Sequence, residues 1–180
     1  PSSWYALHLW ERYLFTMDRE YLKTTAYPMM KEICRFWESQ LKPLHAGGSN
    51  FRTEDRKVTP EIISRKLKDV KEGTLVAPMG WSPEHGPRED GCAHDQQIVW
   101  ELFNDTVQAA ETLGVDAAWR KELTAKRDLL AGPRVGEDGL LLEWMIARKP
   151  GGSWDPRHRH TSHLFAVYPG SRISPEKTPE

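Results

Sequence analysis

The chain has 180 residues and a formal net charge of −1, with 28% charged and 38% hydrophobic residues. This balance is typical of a folded globular protein. It lacks the basic excess of proteins that bind nucleic acids or membrane surfaces. No apolar run reaches the roughly 18 residues of a transmembrane helix, and the first residues do not resemble a signal peptide. We therefore expect neither nucleic acid nor a membrane as a partner.

Both ends of the chain fall within predicted helices. Ser2 and Ser3 suit an N-cap directly before an apolar run. Ser174-Pro175-Glu176 has the residue types of a second helix start, with the end of the chain close behind. We therefore expect residues 1–180 to be a partial domain that is truncated at both ends.

The first third of the chain predicts two helices and a loop. Residues 3–17 are apolar on almost every side, which is typical of a buried helix. Asp18 is the predicted cap of the next helix, in which Pro28 marks a kink or a restart. Residues 45–73 are rich in glycine and charge, with one helical candidate at 60–70. We interpret residues 45–73 as an exposed loop insertion.

The remaining pattern is again helical. Residues 74–78 predict a short extended piece, and apolar residues recur at three- and four-residue steps over 98–113. Asp116 is the predicted cap of a further helix, and residues 140–144 look strand-like. Helices that alternate with long Gly/Pro-rich loops predict an all-α fold.

Glu84 is the first candidate for catalysis. It lies in the segment Trp81-Ser82-Pro83-Glu84-His85-Gly86-Pro87. A stiff, partly apolar turn disfavours the charged form of a carboxyl group, which suits a general acid. The alternative is that Glu84 only caps a turn or a helix.

A histidine-rich segment is the second candidate. His158, Arg159, His160 and His163 lie within six positions. Three histidines are compatible with a metal site, but no companion ligand has a convincing spacing and Arg159 would repel the metal. Arg159 would instead serve as a forked donor to sugar hydroxyls. A purely structural loop remains the third interpretation.

Two further features are weaker. Glu143 stands between Leu142 and Trp144, an acid beside a flat ring, which alone indicates little. Cys34 and Cys92 are far apart in sequence, so either one disulfide or two buried free thiols would fit.

Several segments taken in order carry a resemblance to a known family. They are WYALHLWERYLFTMDREYL, SPEHGP, DQQIVWELF, LLEW and HRHTSHLFAVYPGSRI. The chain thereby resembles the catalytic domain of glycoside hydrolase family 95, the inverting α-L-fucosidases. The resemblance excludes roughly residues 45–73, and its specific parts are the SPE turn and the HRHTSHL block.

This resemblance implies part of an (α/α)6 barrel and an exo-acting, inverting enzyme that removes terminal α-1,2-linked L-fucose from oligosaccharides or glycans. It implies Glu84 as the general acid, Arg159 and His160 as the pair that holds the sugar, and Trp4 as an aromatic wall. It implies no metal and no cofactor, and it suggests a secreted or periplasmic protein. The water-activating Asp and its supporting Asn pair would lie outside residues 1–180, so we expect these residues alone to be inactive.

Alternatives stay open at this point. The family turn is commonly Ser-Pro-Glu-Asn, and here His85 follows the glutamate, which leaves the linkage specificity undecided. Some family relatives act on α-L-galactosides. A catalytically dead, carbohydrate-binding helical module is a second alternative. A metal-dependent hydrolase that uses His158, His160 and His163 is the third.

Overall fold

The computed structural model describes residues 2–148 and 157–178. They form a mostly helical structure, which confirms the predicted helical class. The chain divides into two compact units, the first Pro1–Gln40 with Ile98–Leu129 and the second Leu41–Gln97 with Leu130–Glu180. Within the described residues, no helix combines the length and the apolar character that crossing a membrane requires.

Most of the helices and strands lie in the first 130 residues, where the longest irregular stretch separates Val76 from Ala93. In chain order they are α1 (Ser2–Thr16), α2 (Arg19–Tyr21), a π-helical segment (Leu22–Ala26), α3 (Tyr27–Gln40), β1 (Lys42–Leu44), a 3-10 turn (Ala46–Gly48), α4 (Pro60–Lys66), β2 (Thr74–Val76), α5 (Ala93–Leu113), α6 (Ala117–Leu129) and a second 3-10 helix (Ser162–Ala166).

The first unit shows how two of the predicted helix signals work. The Asp18 carboxylate accepts a hydrogen bond from the Tyr21 N–H at 2.9 Å, as predicted for a cap. Pro28 does not stop the helix, which runs on to Gln40. The π-helical segment directly before α3 gives the chain a wider turn at the point where Pro28 has no N–H to donate.

α1 differs from its prediction as a helix buried on all sides. Ala6 and Trp10 are buried, but Tyr5 and Phe15 are 69% and 85% exposed. The π-helical segment and α3 pack against α1 and cover one side of it. Within the described part of this chain, α1 therefore buries one side only.

Asp116 stands where it was predicted, directly before α6, but its side chain does not act as the expected cap. Its carboxylate accepts hydrogen bonds from the Tyr27 hydroxyl at 2.6 Å and from the Lys31 ammonium at 2.5 Å. These bonds lower the pKa of Asp116. The prediction was wrong because a hydroxyl and a cation from α3, which are far away in sequence, compete for the carboxylate.

The second unit is built around a small antiparallel pair and a hydrophobic core. Lys42 of β1 pairs with Val76 of β2, and Leu44 pairs with Thr74. The first three residues of the extended piece predicted over 74–78 therefore form a strand. Residues 140–144 do not form the expected strand, and Leu141 makes only an isolated bridge to Val135. The buried core residues are Leu44, Phe51, Leu67, Val70, Val76, Ala131, Met145 and Ile146.

Residues 45–73 are not the exposed excursion that their composition suggested. Phe51, Leu67 and Val70 belong to the core, and Leu67 is fully buried. α4, capped by the Thr59 hydroxyl, presents Ile62 and Ile63 to the same core. A charged segment with few apolar residues can therefore still contribute to a core, because its largest apolar side chains are buried or partly buried there.

Replacing Leu67 tests this correction. Leu67→Ala should lower the free energy of unfolding by about 2–5 kcal/mol, as expected for a cavity left by a buried leucine. Urea unfolding measures the change, with the exposed neighbour Lys68→Ala as the matched control. Equal and small effects of the two substitutions would mean that the segment lies outside the core.

Candidate active site

The Glu84 turn, residues 82–86, is the tip of a closed loop. At the base of this loop the Glu89 N–H donates to the Gly80 carbonyl at 3.0 Å. At the tip the His85 N–H donates to the Ser82 carbonyl at 3.0 Å. The backbone therefore holds Glu84 at the outer end of the loop.

Two tryptophans hydrogen-bond to the backbone at the end of the same turn. The Trp81 indole N–H donates to the Gly86 carbonyl at 3.1 Å, and the Trp144 indole N–H donates to the Pro87 carbonyl at 3.2 Å. A Cβ atom on Gly86 would lie 2.1 Å from the Trp144 ring, and Gly86 has a φ of 75°. Both the contact and the backbone conformation thus require glycine at this position.

The histidine loop, residues 157–163, brings a cation to Glu84. The Arg159 guanidinium forms a hydrogen-bonded ion pair with the Glu84 carboxylate. The His160 Nε2 atom lies 3.8 Å from the same carboxylate oxygen. The Ser162 hydroxyl donates to the Pro83 carbonyl at 3.2 Å, which attaches the loop to the turn. Glu84, Arg159 and His160, which the sequence singled out separately, are neighbours.

The surroundings of Glu84 are more open than the sequence suggested. Its side chain is 52% exposed, and the Arg159 side chain is 63% exposed. Trp81, expected to contribute an apolar environment, is itself 40% exposed. Within the described residues, Glu84 is therefore about half exposed beside a cation. The apolar enclosure expected from the residue types next to Glu84 in sequence is not formed by those residues.

Glu143 lies beneath the turn and is buried. One of its carboxylate oxygens accepts a hydrogen bond from the Ser82 hydroxyl and lies 3.0 Å from the His85 Nε2 atom. Its other oxygen lies 4.0 Å from the His163 Nδ1 atom. Sequence reasoning noted Glu143 and His85 but not their contact, since 58 positions separate them.

Histidine rings connect the Glu84 turn to the histidine loop. The His85 ring stacks on the His158 ring, with centroids 4.0 Å apart and an interplanar angle of 11°. The same His85 ring meets the Trp144 ring edge-on at 5.4 Å. The His158 Nδ1 atom accepts the backbone N–H of His160 at 3.2 Å. His85 thus packs between Trp144 and the loop that carries Arg159 and His160.

The whole sequence matches one known family. All of residues 1–180 match the model of the glycosyl hydrolase family 95 catalytic domain. The chain belongs to this family.

Two curated relatives agree with the family assignment. The chain is 31% identical to "Probable alpha-fucosidase A" of Aspergillus niger, over 96% of this chain and 19% of that protein. It is 32% identical to "Alpha-L-fucosidase 2" of Arabidopsis thaliana, over 99% of this chain and 19% of that protein. The chain therefore spans about a fifth of the length of these curated relatives.

Trp4, the fourth candidate that the family resemblance implies, belongs to α1 in the first unit. Its side chain is partly buried there. The contacts described above all lie within the second unit, so the role of Trp4 as a wall of the sugar pocket stays a prediction.

Neither a metal site nor a disulfide is found within residues 2–148 and 157–178. In that part of the chain no group of three or more His, Cys, Asp or Glu side chains has the arrangement of a metal site. Cys34 and Cys92 are free and buried. Burial raises the pKa of the Cys34 thiol to about 12, which makes this thiol a structural rather than a reactive group.

Gly86 provides a test of how tightly the turn packs. Gly86→Ala and Gly73→Ala both place a side chain at positive φ, which costs about 1–2 kcal/mol, but a Cβ on Gly73 meets nothing within 4 Å. Only Gly86→Ala adds overpacking against Trp144, typically about 1–3 kcal/mol. Urea unfolding should therefore show the larger loss for Gly86→Ala. Equal losses would mean that Trp144 does not pack against the turn.

Proposed function

We propose that the protein containing this chain is an exo-acting glycoside hydrolase that removes terminal α-1,2-linked L-fucose from oligosaccharides or glycans with inversion. The observation that carries the proposal is the convergence of Glu84, Arg159 and His160 at one point of the second unit. Membership of family 95 and the names of the fucosidase relatives support the choice of sugar. The fold proposed for the complete catalytic domain is an (α/α)6 barrel, to which this chain contributes helices.

Glu84 is the proposed general acid. Cleavage of a glycosidic bond requires a proton on the departing oxygen, and a carboxylic acid on a fixed turn delivers it. The position of Glu84 at the tip of a closed, anchored loop suits this role, because the carboxyl group projects while its backbone is held. An inverting enzyme also needs a group that activates water, about 6.5–9.5 Å from the acid. We assign that group to a residue outside this chain.

Arg159 and His160 are the proposed sugar-binding pair. An Arg159 N–H donates to the His160 Nε2 atom at 2.9 Å, and because arginine has no lone pair to offer, Nε2 is the acceptor in this contact. The ring N–H of His160 is therefore on Nδ1, where it can donate to a sugar hydroxyl. The remaining N–H groups of Arg159 form a planar fork suited to neighbouring hydroxyls.

Trp4 is the proposed apolar wall. Fucose carries a methyl group at C5 where L-galactose carries a hydroxymethyl group, so an aromatic face beside that carbon would favour the fucoside. If Trp4 has this role, the enzyme should cleave α-L-fucosides faster than α-L-galactosides.

The test follows sugar release by NMR with the natural full-length protein and a terminal α-1,2-linked fucoside. Prompt appearance of the β anomer is expected, because inversion converts an α linkage into a β product. Glu84→Gln should reduce kcat by about 100- to 10,000-fold, the usual contribution of general acid catalysis. Glu122→Gln is the matched control, since it makes the same chemical change on the exposed surface of α6.

Four results would contradict parts of the proposal. Full activity in Glu84→Gln would remove the acid assignment. First appearance of the α anomer would replace inversion by retention. Cleavage of α-L-galactosides without cleavage of fucosides would change the substrate, and complete inactivity of the unaltered protein would favour a binding module.

A further inference from the structure

The carboxylate of Glu143 is buried and lies outside the group of residues that the proposed reaction uses. Its side chain is only 7% exposed, whereas that of Glu84 is 52% exposed. A carboxylate removed from water is unfavourable unless donors surround it. The hydrogen-bond donors around Glu143 therefore indicate which part of the site its carboxylate holds in place.

The donors of Glu143 come from both sides of Glu84. Ser82 stands two residues before Glu84 and His85 directly after it, and both contact the same oxygen of Glu143. Ser82 is fully buried and His85 is 10% exposed. A single buried group therefore holds the Pro83–Glu84 segment at its two ends.

The contact with His85 extends to the sugar-binding pair. His85 stacks on His158 at 4.0 Å, and His158 accepts the His160 backbone N–H at 3.2 Å. A shift of His85 would thus disturb both the turn and the loop that faces it.

We propose that Glu143 is a positioning residue that aims the Glu84 carboxyl at the leaving-group oxygen, acting through Ser82 and His85. This inference rests on the proposed role of Glu84 as the acid. Loss of the Glu143 acceptor leaves the Ser82 hydroxyl and the His85 N–H unsatisfied in the interior, and the turn then relaxes. A displacement of about 1 Å at the reacting group is enough to reduce a rate about 100-fold.

The leaving group separates a positioning role from a structural one. Cleavage of an α-1,2-linked fucoside needs a proton from the acid, whereas α-L-fucosyl fluoride releases fluoride with little need for one. In the natural full-length protein, Glu143→Ala should lower kcat/KM about 100-fold for the fucoside and much less for the fluoride. Glu84→Gln, measured in parallel, should show the same selective loss.

Conservative and partial variants sharpen the test. Glu143→Gln keeps an acceptor oxygen and should retain more fucoside activity than Glu143→Ala. Ser82→Ala removes one donor to Glu143. His85→Phe keeps an aromatic ring beside His158 but loses the N–H. Each should therefore show a smaller selective loss of activity on the fucoside. These variants carry the test if Glu143→Ala does not fold, which thermal unfolding reports.

A second buried carboxylate of the same unit serves as the control. Glu89 binds Arg148 and the Met145 N–H and makes no side-chain contact with Ser82 or His85 among the described residues. Glu89→Gln should therefore affect both substrates alike. An equally selective loss in Glu89→Gln would overturn the proposal, because any buried carboxylate would then produce it.

Two further outcomes distinguish this inference from the proposed function. Equal losses on the fucoside and the fluoride in the Glu143 variants, with a selective loss in Glu84→Gln, would overturn the positioning role alone. Absence of a selective loss in Glu84→Gln would remove the acid assignment, and the role of Glu143 would fall with it.

Discussion

The second unit depends on one constraint, which is that a carboxylate taken out of water must be surrounded by donors. Asp90 is fully buried and accepts hydrogen bonds from the Lys42 ammonium at 2.6 Å and from the Met79 N–H at 3.0 Å. Glu89 is satisfied by Arg148 and the Met145 N–H. These partners come from segments that are distant in sequence, so each buried acid ties separate parts of the chain together.

In the site, buried and exposed carboxylates therefore have different roles. Buried Glu143 holds the turn that carries Glu84, buried Glu89 holds Arg148 and the Met145 N–H, and exposed Glu84 is presented at the tip of the loop. Desolvation raises the pKa of Glu89, and Arg148 opposes that effect. A loop held by such contacts keeps its tip in place without an extensive apolar core around the tip, which explains how a largely exposed Glu84 can still be well positioned.

Local signals in the sequence predicted much of the fold. The periodicity of residues 98–113, the Asp18 cap and the extended character of residues 74–78 all depend on neighbours within a few positions. The helix and the cap are confirmed, and of residues 74–78 the first three, Thr74–Val76, form a strand. The cap role of Asp116 and the exposure expected of residues 45–73 were wrong for the opposite reason. Their outcome depends on α3 and on the core of the second unit, which local sequence does not display.

The same distinction applies to the site. Residue types identified Glu84, Arg159 and His160 as candidates, and the family resemblance implied their roles. Their proximity, the exposure of Glu84 and its support by Glu143 arise from tertiary contacts between segments more than 50 positions apart. Composition around Glu84 suggested an apolar turn because Trp81 and Pro83 adjoin it, although sequence neighbours need not enclose a side chain.

The most direct test of the account is a crystal structure of the natural full-length protein with L-fucose bound. With the α anomer bound, we expect the sugar hydroxyls to contact Arg159 and His160. We also expect the Glu84 carboxyl to lie within hydrogen-bond distance of the α-anomeric oxygen, which occupies the position of the leaving-group oxygen. A sugar bound elsewhere, with the Glu84–Arg159 ion pair intact and remote from it, would contradict the central claim.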